Sequence, residues 1–132
     1  MMNSYRNYYL ILLVISIGWI LLGDNFYNNF APLLFFIFGF PIFGFLYFTN
    51  LSNFSILLKN KKPELFKKVA IDYGYFKDEM INGINLFNSS GFYELDDEDL
   101  KRSYKKLKSS LNYLILSFGS FALIGILTIY IK

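Results

Sequence analysis

This chain of 132 residues contains no cysteine and no histidine. The two absences exclude disulfides, thiol redox chemistry, structural zinc of the usual Cys/His kind, haem ligation by His and catalysis by a His base. A Gly-rich phosphate loop is missing as well, since the nine glycines stand singly at 18, 23, 39, 44, 74, 83, 91, 119 and 125. The remaining absence is positional. No charged side chain occurs in three long stretches, Tyr8 to Leu22, Phe30 to Phe48 and Leu111 to Ile131.

Those stretches define the class. A helix that crosses a bilayer needs ~20 apolar residues, with ~17 as the lower limit. The second and third meet this, and the first does so when Tyr5 and Asn7 sit at headgroup depth. At 55% hydrophobic and 21% aromatic residues, so much apolar surface has no place in a water-soluble globule of this size. We expect an all-α integral membrane protein with three transmembrane helices and a small helical cytoplasmic region. Residues 1–48 form a transmembrane hairpin with spans at about 6–22 and 30–48. Residues 49–96 form the cytoplasmic region, and 97–132 a cytoplasmic helix that continues into a span at about 111–131. Arg6 followed by an apolar run also fits a cleaved signal peptide. However, Leu21 and Gly23 before Asp24 are not the small pair a peptidase prefers, and a second apolar stretch follows at once.

The distribution of cations orients the chain. Positively charged loops resist translocation. Eleven of the thirteen basic residues fall between Thr49 and Ser110: Lys59, Lys61, Lys62, Lys67, Lys68, Lys77, Lys101, Arg102, Lys105, Lys106 and Lys108. The turn from Gly23 to Asn29 has Asp24 and no cation. This places the N-terminus and the long loop in the cytoplasm and Lys132 outside, in a cell membrane such as the bacterial inner membrane. The net charge of +3 then describes membrane-proximal collars, and nucleic acid is not an expected partner.

Within the second span, Pro41 lies between Gly39 and Gly44. A proline frees a backbone carbonyl and bends a membrane helix, so a kink is expected there. In the loop, Pro63 followed by Glu64 opens a short helix to about Asp72, which Gly74 stops. Phe76, Met80, Ile84 and Phe87 then recur at helical spacing. The clearest helix start is Asp96, Asp97, Glu98 and Asp99, a cap and an acidic first turn, with Asp97 to Lys101 and Glu98 to Arg102 as i,i+4 pairs. Leu100, Tyr104, Leu107, Leu111 and Leu114 continue one apolar stripe into the third span. One unbroken helix from about Asp97 to Ile131 follows.

Several clusters invite chemistry. The acidic run offers oxygen ligands to a hard cation but lacks the spacing of a calcium loop, and capping explains it better. Ser109 and Ser110 beside Lys105, Lys106 and Lys108 have the composition of a Ser/Lys dyad, yet exposed lysines beside acids stay protonated and activate nothing. We therefore expect no catalytic, cofactor-binding or metal-binding residue, no cofactor, and no enzyme. Lys101, Arg102, Lys105, Lys106 and Lys108 are expected to anchor topology and touch anionic lipid headgroups. Gly119, Ala122 and Gly125 recur every third residue and form a helix-packing face, toward the other spans or toward another copy. No Asp, Glu, Lys, Arg or His lies within the three uncharged stretches, which argues against a self-sufficient transporter or pump.

After the second span come Leu57, Leu58 and Pro63, then Phe66, Gly74 and Phe76, then Tyr93, Asp96, Asp97, Leu100 and a basic run into the final span. In this order the region from Thr49 to Lys132 resembles small bacterial inner-membrane proteins that include universal stress protein B. The resemblance implies a non-catalytic, stress-linked membrane protein. From the residues themselves we expect action by protein or lipid association, through the cytoplasmic helices and the packing face of the third span, with a homo-oligomer or another membrane protein as partner. A holin-like pore and an accessory subunit of a membrane enzyme or transporter are the alternatives.

Overall fold

The computed structural model describes residues 2–24, 29–89, 92 and 95–131. Tyr93, Lys132 and part of the Gly23 to Asn29 turn, to which the expectations above refer, lie outside the described residues. Five helices are present among those described. They are α1 (Met2–Leu22), α2 (Ala31–Lys61), α3 (Pro63–Val69), α4 (Gly83–Asn88) and α5 (Glu98–Tyr130). Three of them, α1, α2 and α5, are long and apolar enough to cross a membrane. The chain is an all-helical membrane protein whose last helix is long and continuous.

The first span begins at Met2, so Tyr5, Arg6 and Asn7 are helical and lengthen an apolar run that is short by itself. Its 21 residues cover ~32 Å at ~1.5 Å per residue, close to the ~30 Å of a hydrocarbon core. In α2 a π-helical turn at Phe35–Gly39 separates Ala31–Leu34 from Phe40–Lys61. The Phe40 amide donates to the Phe35 carbonyl five residues back. Pro41 follows directly, and because it has no N–H the carbonyl of Ile37 loses its helical donor. The Tyr8 hydroxyl donates to the neighbouring Phe38 carbonyl at 2.7 Å. A side chain from α1 thus supplies a hydrogen bond where the α2 ladder is irregular.

Contacts divide the chain into two units, one of residues 1–46 with 109–132 and one of residues 47–108. In the first, Leu12, Ile20, Ala31, Phe35 and Ile124 form a buried cluster. Phe43, fully buried, takes the rings of Tyr5 and Tyr8 edge-on at 6.4 and 5.7 Å and stacks with Tyr113 at 5.5 Å. Such pairs contribute ~0.5–1.5 kcal/mol beyond the area they bury. The second unit has a larger core of Leu51, Phe54, Leu58, Phe66, Val69, Ile81, Leu86, Phe92, Leu95, Leu100, Tyr104 and Leu107. Here α2 and α5 supply opposite walls, and Phe54 meets Phe92 and Tyr104 at 6.4 and 5.8 Å.

Two local expectations are corrected. The helix from Pro63 ends at Val69 rather than Asp72, and residues 76–82 are not helical. The cause is a small antiparallel ribbon that claims the backbone groups a helix would use. Ala70 bridges Ile81, the Ile71 amide donates to Met80, and the Asn82 amide donates to Val69, at 2.9 and 2.8 Å. The ribbon turns through two left-handed residues, Gly74 at φ +75° and Asp78 at φ 56°. Glycine adopts that conformation at no steric cost, so Gly74 belongs to the turn and does not stop a helix. The Asn82 side chain then accepts from the amides of Ile84 and Asn85 and starts α4.

Candidate functional site

The feature with the shape of a binding site lies within the 47–108 unit. On one wall, Tyr47, Phe48, Leu51 and Ser52 occupy consecutive turns of α2. On the other stand Ile71, Tyr73, Phe76, Met80 and Ile81 of the ribbon, with Asn82, Gly83 and Ile84 at the start of α4. Between them is an open groove of about 570 Å³. The walls are pinned by Ser55, which is buried, accepts from the Ile81 amide at 3.1 Å and donates to the Leu51 carbonyl at 2.7 Å. Lys59 adds a second pin, donating to the Asp78 carbonyl at 3.1 Å while its ammonium lies over the Phe66 ring. Gly83 lies against the Tyr47 hydroxyl, which a Cβ there would have to displace.

The rim of this groove is unusually apolar for a surface. Ile84 is 74% exposed, Tyr73 69% and Phe76 52%. No lysine, arginine, aspartate or glutamate is among the lining residues. What the groove offers is a slot of aliphatic and aromatic carbon with the hydroxyls of Tyr47, Ser52 and Tyr73 and the amide of Asn82 as its polar groups. It is suited to hold an apolar chain and has no group placed for acid–base work.

Away from the groove, the first turn of α5 carries an ion cluster. Lys61, the last residue of α2, reaches Asp97 and Asp99 at 2.9 Å each. Asp97 is also the helix cap and accepts from the amides of Asp99 and Leu100. Its partner is therefore Lys61 and not the expected Lys101. The hydrogen bond from Lys61, with those amides, lowers the Asp97 pKa, and the bonds to Asp97 and Asp99 raise that of Lys61.

In the apolar unit, the buried face of α5 carries Ser110, Ser117, Ser120, Ile124 and Thr128. Ser120 shares a hydrogen bond of 2.6 Å with the Tyr9 hydroxyl. Gly39 lets α2 approach this face, because a Cβ there would stand 3.3 Å from the Ser117 hydroxyl oxygen. The expected packing residues lie elsewhere: Ala122 is exposed, and a Cβ at Gly119 or Gly125 would have no neighbour within 4 Å. Of the basic collar, Lys101, Arg102 and Lys105 are exposed and Lys106 and Lys108 half-buried. Ser110 is fully buried, closing its hydroxyl to any substrate. Sequence reasoning missed Ser55, Tyr47 and the Tyr9–Ser120 pair. For the last a signal existed, since Ser110, Ser117, Ser120, Ile124 and Thr128 are spaced 7, 3, 4 and 4, the period of one helix face.

Comparison with known proteins leaves the geometry to speak for itself. No family model, curated protein or solved structure matches this chain.

Proposed function

We propose that this chain is a small non-catalytic protein of a bacterial inner membrane that works by association, with the 47–108 unit as its cytoplasmic interaction domain. The observation that carries the reading is that this unit has its own apolar core yet keeps an apolar groove and aromatic rim exposed. Association surfaces combine such a patch with a polar surround. Orientation rests on the eleven cations of the same unit, which favour retention on the cytoplasmic side. The N-terminus is then cytoplasmic and residue 132 outside. Lys101, Arg102, Lys105, Lys106 and Lys108 face anionic headgroups at the entry to the third span. The resemblance to universal stress protein B points to the same non-catalytic class and to a stress-linked role.

Gly119, Ala122 and Gly125 enter this reading as a contact with another copy or another membrane protein, because they stand outside the packing face within the chain. Small residues at such positions let helix backbones approach closely. Gly119→Ile should abolish crosslinked dimers in membranes, and unchanged dimers would refute the contact.

The line of hydroxyls from Ser117 through Ser120 to Thr128 favours a second reading, a holin-like pore. Overproduction separates the two. Association predicts intact membrane potential, and collapse of the potential at matched expression would overturn it in favour of the pore.

A further inference from the structure

We propose that the groove between α2 and the ribbon holds one acyl chain of a bilayer phospholipid, drawn from the leaflet into which α2 emerges at Phe48. The inference rests on the reading of α2 as a span, and its test separates the two.

Continuity is the first argument. Tyr47 and Phe48 end the unbroken apolar run of the second span, before Thr49 and Asn50, and they also line the groove. Ser52, at its far side, lies ~6 Å further along the helix axis, within the interfacial layer that flanks the ~30 Å core. The groove therefore begins where lipid chains end. The second argument is chemical. About 570 Å³ of mostly apolar space falls within the ~300–1,000 Å³ of small-molecule sites. Exposed apolar patches of this kind mark surfaces that meet a protein or a membrane. An extended peptide would need a sheet edge or a row of hydrogen-bonding groups, and an acyl chain needs neither. The rim supplies the third. Tyr73, among the lining residues, is an exposed amphipathic ring of the kind that concentrates at membrane interfaces. Because no ionised side chain lines the groove, it reads the chain and is indifferent to headgroup charge.

The test uses the full chain in vesicles of phosphatidylcholine with a photoactivatable diazirine at the middle of one acyl chain. In ordinary lipid that probe lies deep in the bilayer, so adducts within residues 71–84 require a chain raised into the groove. We expect adducts at 71–84 as well as in the spans, unchanged when anionic phosphatidylglycerol is added. Phe76→Asp and Ile84→Asp alter exposed residues and leave the fold intact. Each should cut the 71–84 adducts by roughly tenfold or more, through the cost of placing a charge against the chain, with span adducts unchanged. Labelled spans with an unlabelled 71–84 segment would overturn the proposal and leave the membrane reading standing. The same segment protected in a crosslinked dimer would assign the groove to a second copy instead. Adducts dependent on anionic lipid would overturn the neutral chain-binding account. Unlabelled spans would overturn both readings.

Discussion

The two units of this chain both bury apolar side chains but differ in how many hydroxyls they bury with them. Among the described residues, five of the six buried polar side chains, Ser16, Ser110, Ser117, Ser120 and Thr128, belong to the unit of residues 1–46 and 109–132. That unit turns Val14, Leu21, Leu22, Phe45 and Leu123 outward. The 47–108 unit buries one hydroxyl residue, Ser55, among those described, within a larger apolar core of leucine, phenylalanine, valine, isoleucine and tyrosine, and keeps its lysines outside. The difference teaches which solvent each was built for. In lipid, apolar burial between helices gains little, so small hydroxyl residues and aromatic contacts do the packing. In water, removing apolar surface is the dominant stabilising force.

The sharpest break in that comparison comes from the 47–108 core. Leu58, fully buried, should cost ~2–5 kcal/mol as Leu58→Ala through lost transfer energy and the cavity left behind. Amide exchange would show unprotected amides across residues 51–107, with α1 unaffected. Next come the serines, where one substitution has opposite meanings. Ser55→Ala strands the Ile81 amide and should cost ~1–3 kcal/mol. Ser16 and Ser117 have buried hydroxyls with no partner among the described residues, so Ser16→Ala and Ser117→Ala should be neutral or stabilising in denaturant titrations. A large loss of stability at Ser117 would mean that its hydroxyl has a partner on which the fold depends.

The Tyr9–Ser120 bond sharpens the lipid side. A double-mutant cycle of Tyr9→Phe and Ser120→Ala should give a coupling of ~0.6 kcal/mol, the size typical of hydrogen bonds between membrane helices. The smallest effect belongs to Lys61 with Asp97. A lowered carboxylate pKa gives stability that is present above the unfolded value and lost as pH falls below ~4. A raised lysine pKa gives stability that is present below the unfolded value and lost as pH rises above ~10. Fraying at the start of α5 should therefore be least between those limits. Asp97→Asn should flatten both the pH and the salt dependence, and exchange at the amides of residues 99–102 reads it.

The large features were legible because each rests on a pattern many residues long. Three uncharged stretches and one apolar stripe from Leu100 to Leu114 gave the spans and the length of α5. The errors fell where a few backbone bonds outweigh periodicity. Phe76, Met80, Ile84 and Phe87 do have helical spacing, but the bonds of the Ile71 amide to Met80 and of the Asn82 amide to Val69 divert residues 71–82 into a ribbon. The groove was illegible for the same reason, since it exists because that ribbon folds back on Tyr47 and Ser55. The glycines divide by what they meet within the chain. Gly119 and Gly125 share a regular spacing, whereas Gly39, isolated beside a proline, makes the close approach.

The central claim is that residues 47–108 face water on the cytoplasmic side while the other unit crosses the membrane three times. The chain has no cysteine, so single cysteines report on it without background. With an impermeant maleimide on intact cells, Tyr27→Cys and Lys132→Cys should react, and Asn85→Cys should react only after permeabilisation. Labelling of Asn85→Cys in intact cells, or of Tyr27→Cys and Lys132→Cys from opposite sides, would contradict the account.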